Sequence, residues 1–146
     1  MDPLSALALS CNILDVVTAA GKTCTFLYEV HKAGTFPNHD ELVSTTNMLD
    51  KSVQALTHQL SNAHGTSQTC QADDKDLLDV LQKARRLASD LQNKLDTLKL
   101  QTTDSRSKRF EKLIKTALQK GKIYDLQRRW EELRKAFDSA LLVRLT

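Results

Sequence analysis

Apolar side chains recur along this chain at the three-to-four-residue spacing of an α-helix, and no stretch alternates in the manner of a half-buried strand. The clearest stripe is Leu77, Leu81, Ala84, Ala88, Leu91, Leu95 and Leu98, in alternating steps of four and three. That is the heptad spacing of helices packed knobs into holes. It predicts a helix from about Asp73 that ends before Thr102-Thr103-Asp104-Ser105. Ahead of it, Leu42, Leu49, Val53, Leu56 and Leu60 mark a second helix. Asn38 is placed to cap that helix, with Glu41 three residues on, the spacing of a capping box. Gly65-Thr66-Ser67-Gln68-Thr69 closes it as a loop. Beyond the third helix, Phe110, Leu113, Ile114, Ala117 and Leu118 predict a fourth from about Ser105, which Gly121 ends or kinks. Ile123, Leu126, Trp130, Leu133, Phe137, Ala140 and Leu141 predict a last one.

The first segment is different. Asp2 as N-cap and Pro3 at the first helical position predict a helix running to about His31, where Gly34 and Pro37 stop it. Apolar or small residues occupy every face, from Leu4, Leu7 and Leu9 through Ile13, Leu14, Val16 and Val17 to Leu27 and Val30. A helix apolar all round belongs in a core or in lipid, so this one is expected at the centre of the bundle or in a groove among the others. The pattern therefore implies an all-α fold, an antiparallel four- to five-helix bundle with an apolar N-terminal helix. Leu81, Leu91, Leu95, Trp130, Leu133 and Phe137 are the expected core.

The 146 residues suit one domain over 1–146, long enough to bury a core without disulfides or metal. Four glycines and two prolines are too few for the turns of an all-β domain. Three cysteines, Cys11, Cys24 and Cys70, give an odd count without close pairing, which argues against a disulfide framework. Cys11 and Cys24 stand among apolar residues and are expected to be small buried side chains. A reducing cytosol suits them. The uncharged run from Leu4 to Leu14 superficially resembles a secretory signal, but Met1-Asp2-Pro3 is acidic where such a signal is basic. Asp15 then interrupts the run before it can span a bilayer, and the segment is expected to remain as a helix of the mature protein.

Net charge is +3, unevenly spread. Arg106, Lys108, Arg109, Lys112, Lys115, Lys120 and Lys122 lie close together against Glu111 alone, while Asp73, Asp74, Asp76 and Asp79 cluster elsewhere. The basic stretch has three readings. It can be a solvated helix face that pairs with those acids, which is what charge runs usually are. It can lie on anionic lipid, each Lys contributing about 1 kcal/mol near the surface. Nucleic-acid binding comes last, because the chain has few aromatic rings to stack on bases and only modest charge.

Catalytic chemistry finds no footing. Ala20-Gly21-Lys22-Thr23 imitates the tail of a phosphate-binding loop, but Val16 stands where that loop needs glycine, and no strand precedes it. His58, His64 and Cys70 are spaced six apart, too widely for the tight ligand pairs of a metal site. The acidic cluster lacks the central glycine and terminal glutamate of a calcium loop, and Asp73 is more simply an N-cap. No base is fixed beside a cysteine to activate it. Neither enzymatic activity, cofactor nor metal is expected.

Met1-Asp2-Pro3-Leu4-Ser5-Ala6-Leu7-Ala8-Leu9-Ser10-Cys11-Asn12-Ile13-Leu14 resembles the start of the HeLo-like helical domain. That domain stands at the N-terminus of fungal NACHT and other STAND receptors, counterparts of NOD-like immune receptors. The resemblance continues in Tyr28-Glu29-Val30-His31-Lys32-Ala33-Gly34, resumes from Ala84 to Leu95, and covers the basic Arg106 to Leu126 stretch. It implies a non-enzymatic bundle in programmed cell death, as in heterokaryon incompatibility. Such a domain would wait in the cytoplasm, self-associate on activation, and move to the plasma membrane through its N-terminal helix. Leu4, Leu7, Leu14 and Asp15 would then be the insertion residues, and Lys108, Lys112 and Lys115 would attract anionic membrane lipid. A homologous helical domain is a further expected partner, and nucleic acid is not. The alternative is an adaptor-type protein-protein interaction module with no lipid step. The chain itself carries neither the NTPase core nor the repeats of a full receptor.

Overall fold

A computed structural model describes residues 3–33, 38–63, 72–101 and 120–145, and these form four helices with no strand among the described residues. They are α1 (Pro3–Ala33), α2 (His39–Ala63), α3 (Ala72–Gln101) and α4 (Lys120–Leu145). The molecule is a helical bundle. The helix expected from about Ser105, with its stripe from Phe110 to Leu118, lies outside the described residues, as do Gly34, Pro37 and the loop at Gly65.

Local signals set the helix ends. The Asn38 side chain accepts a hydrogen bond from the Asp40 N–H at 2.9 Å, and its carbonyl accepts from the Leu42 N–H at 3.0 Å. That is the N-cap geometry that satisfies donors left over in a first turn. Asp40 and Glu41 add negative charge at this end of α2, and His31 and Lys32 add basic groups at the last turn of α1, both in the sense the helix dipole favours. Gly121 lies within α4, with open space where a Cβ would stand, while the preceding helix that it was expected to end or kink lies outside the described residues.

Cross-helix contacts give the topology. Asn12, early in α1, donates a hydrogen bond to Gln59, late in α2, so these helices run antiparallel. Going from Val17 to Cys24 along α1, the partners on α4 go back from Trp130 to Leu126, so this pair is antiparallel too. Gln92 of α3 donates to Asp50 of α2 at 2.8 Å. α1 and α3 touch across the bundle, and each also packs on α2 and α4. A helix with neighbours on three sides needs a wider apolar arc than a coiled-coil seam. Accordingly Val80 and Leu87 are buried on α3 alongside its heptad stripe.

The core is one cluster, with Ile13, Val16 and Leu27 from α1, Leu42, Leu49 and Leu56 from α2, Leu91 and Leu95 from α3, and Leu133 and Phe137 from α4. Ser10, Thr23 and Thr46 are buried among them. Each hydroxyl donates to the carbonyl four residues back, at 2.8, 2.8 and 2.7 Å respectively. That local bond satisfies the hydroxyl, so threonine fits where the α2 stripe skips a leucine between Leu42 and Leu49.

Trp130 departs from expectation. It is only partly buried, and it lies against α1 rather than deep among the leucines. Its indole N–H donates to the Val17 carbonyl at 2.8 Å. A Cβ on Gly21 would stand 2.7 Å from Trp130 Cζ2 and 2.8 Å from Cε2. Glycine in mid-helix, a costly choice by propensity alone, is thus the socket that admits the indole. The guanidinium of Arg134 lies 5.7 Å from the ring centroid, a cation–π distance.

Candidate interaction surface on the N-terminal helix

The N-terminal half of α1 is where the apolar pattern and the packing part company. Its inner side buries Ala6, Leu9, Ile13, Val16 and Val17. Its outer side shows Leu7, 61% exposed, and Leu14, 49% exposed. Residues 7, 11 and 14 follow one another along one helical stripe, so exposed Cys11 sits between the two leucines. The expectation that Cys11 is buried is therefore corrected: two leucines and a cysteine share the solvent face of a helix whose opposite face is already core.

The stripe changes character along α1. No charge occurs from Pro3 to Leu14. From Asp15 to Lys32 the exposed positions are polar or charged, among them Thr18, Lys22, Thr25 and Glu29. Asp15 is exposed at that boundary. Leu4 lies within α1, but its side chain is outside the described residues. Lys108, Lys112 and Lys115 also lie outside them, so Leu7, Leu14 and Asp15 are the sequence-selected residues that the structure brings onto one surface.

Rigid contacts hold this surface in place. Asn12 is tied to Gln59 of α2, and Val17 to the Trp130 indole. The Trp130–Gly21 contact is the feature that sequence reasoning missed. The available signal was a lone glycine inside an otherwise helical segment, a pattern that usually has a packing reason.

Cys24 is the buried thiol of α1. Burial pushes it up to about 11, with Arg129 pulling weakly the other way, and its sulfur lies 3.9 Å from the Leu126 carbonyl. Near neutral pH it is a thiol and not a nucleophilic thiolate. A sharp contrast in reactivity follows. In a variant with Cys70→Ser, a disulfide reagent at pH 8 is expected to label Cys11 promptly and Cys24 only on unfolding. Prompt labelling of both cysteines in the folded protein would contradict this burial pattern.

Among the described residues no group of His, Cys, Asp or Glu is placed to hold a metal ion, and no helix is long and apolar enough to cross a membrane. No protein-family model, curated protein or solved structure matches the chain. The resemblance to HeLo-like domains rests on the sequence segments that carry it.

Proposed function

We propose that the chain is a cell-death or innate-immunity signalling domain that oligomerises and associates with, or permeabilises, the plasma membrane through its N-terminal helix. The observation that supports this most directly is the exposed pair Leu7 and Leu14 on an uncharged helix end. Exposed leucines scattered singly need no explanation. Two on one stripe, with a cysteine between them and the first charge only at Asp15, make a continuous apolar contact.

The form of the membrane contact is constrained. A lone span is not the mechanism proposed, since no described helix has the length and apolarity for one. Either the stripe lies in the lipid interface, or several copies group their polar residues away from lipid. In this reading Lys108, Lys112 and Lys115 supply attraction to anionic lipid, and the domain moves from cytoplasm to membrane on activation.

The second reading is an adaptor that docks the same stripe on a homologous helical domain. It is favoured by the inner face of α1: Ile13, Val16, Ala20 and Leu27 are fully buried, so withdrawing α1 would open the core. Apolar surface so exposed costs roughly 25 cal/mol per Å². A protein partner needs no withdrawal.

Sedimentation with neutral and anionic vesicles separates the two. Leu7→Glu combined with Leu14→Glu is expected to abolish vesicle binding. At these exposed positions each change should alter stability by only about 0.5 kcal/mol or less. Undiminished binding of the folded double variant to anionic vesicles would defeat the membrane reading of this stripe.

A further inference from the structure

The exposed stripe of α1 has the spacing of a packing seam. Leu7, Cys11, Leu14 and Thr18 follow one another in steps of four, three and four, the heptad order by which one helix packs on another. Ala8 is exposed beside Leu7, so two small side chains, Ala8 and Cys11, stand between the leucines. A leucine of a facing helix has room to seat there. Charge divides α1 in two. Nothing charged stands between Pro3 and Leu14, whereas Asp15, Lys22, Glu29 and Lys32 are exposed further on.

We propose that this stripe is a self-complementary interface, on which a second copy of the chain docks its own α1 antiparallel with Cys11 at the two-fold axis. An isologous contact needs one patch that fits itself. Turned about Cys11, Leu7 of each copy comes beside Leu14 of the other, over Ala8 and Cys11. The uncharged halves then overlap, and the charged halves point away from each other. A parallel pair would instead set Lys22, Glu29 and Lys32 each at the height of its own like charge, which is unfavourable across an interface. The antiparallel pair also brings Asp15 within about one turn of the other copy's helix N-terminus, the end that favours a carboxylate. The contact is one stripe per copy, which places the dimer in the weak, transient class. It rests on the reading of this stripe as the chain's contact surface. In the resting protein it covers the leucines that would otherwise meet lipid or a foreign helix.

Sedimentation equilibrium of the full chain carrying Cys70→Ser, without lipid, is the first test. The average mass should rise from one chain towards two between about 10 μM and 1 mM. Leu14→Glu should weaken the dimer at least about tenfold, because each substitution enters the contact twice. Disulfide trapping reads the geometry. Helix axes about 9–10 Å apart, less a Cα radius of about 2.3 Å on either side, leave the two Cys11 Cα atoms roughly 4.4–5.4 Å apart, within disulfide reach. Diamide, which takes up the two electrons and two protons that the thiols release, should link Cys11 to Cys11. With Cys11→Ser added, Leu7→Cys should link to Leu14→Cys when the two proteins are mixed, and neither should link to itself. A Leu7→Cys homodimer without the mixed product would make the pair parallel and overturn the arrangement. A single-chain mass throughout the concentration range overturns the dimer, and vesicle binding by that monomer gives the stripe to lipid instead. The mass is measured without vesicles, so failure of the dimer and failure of the membrane reading register separately.

Discussion

Leu91→Ala is expected to cost the bundle about 2–5 kcal/mol, a large share of the stability of a domain this size. Leu91 is fully buried within α3, which, like α1, touches each of the other three described helices. Truncation removes transfer free energy and leaves a cavity. Leu87, Ala88 and Leu95 share its helix and are also buried, so no loose side chain is at hand to refill the space. Urea unfolding of the two proteins measures the difference directly. A loss below about 1 kcal/mol would mean that the site collapses freely, as no tightly packed core does.

Gly21→Ala is expected to destabilise the protein as well, by about 1–3 kcal/mol, although alanine is the better helix former by about 1 kcal/mol. The two effects have opposite signs, and geometry decides between them. The new methyl would stand 2.7 Å from Trp130 Cζ2, inside any real carbon–carbon contact. The clash is with a rigid ring whose N–H is anchored on the Val17 carbonyl, not with the end of a flexible chain. The ring must move, and the hydrogen bond goes with it. Trp130→Phe provides the partner for a double-mutant cycle: with the indole gone, Gly21→Ala should lose most of its penalty. Trp130 is the sole tryptophan, so its fluorescence reports the displaced ring without a label. Stabilisation by Gly21→Ala in the wild-type background would show that the socket is not tight.

Both predictions bear on function through α1. The Gly21–Trp130 contact fixes the height and rotation of α1 against α4, and so fixes which residues α1 turns outward. Leu7, Cys11 and Leu14 face solvent because Val17, Gly21 and Cys24 face α4 and Asn12 faces α2. Loosening the contact should disturb the outer stripe without touching it.

The helices themselves were legible in the sequence. Period, caps and breakers depend on neighbours a few residues apart, and a single chain displays those in full. Asn38 caps α2 as its side chain and position imply, and the stripe from Leu77 to Leu98 is buried throughout. Rotation was legible where the apolar arc is narrow, because only one orientation hides it. On α1 the arc closes on itself, so hydrophobicity fixes no direction. Cys11 then looks as buried as Cys24, and Leu14 as buried as Ile13. Contacts more than forty residues apart in sequence decided the matter: Asn12 with Gln59, Val17 and Gly21 with Trp130, Cys24 with Leu126. Local sequence determined where this chain is helical. Tertiary packing decided which face of its most apolar helix meets water, because that choice rests on complementary shapes and paired polar atoms from distant segments.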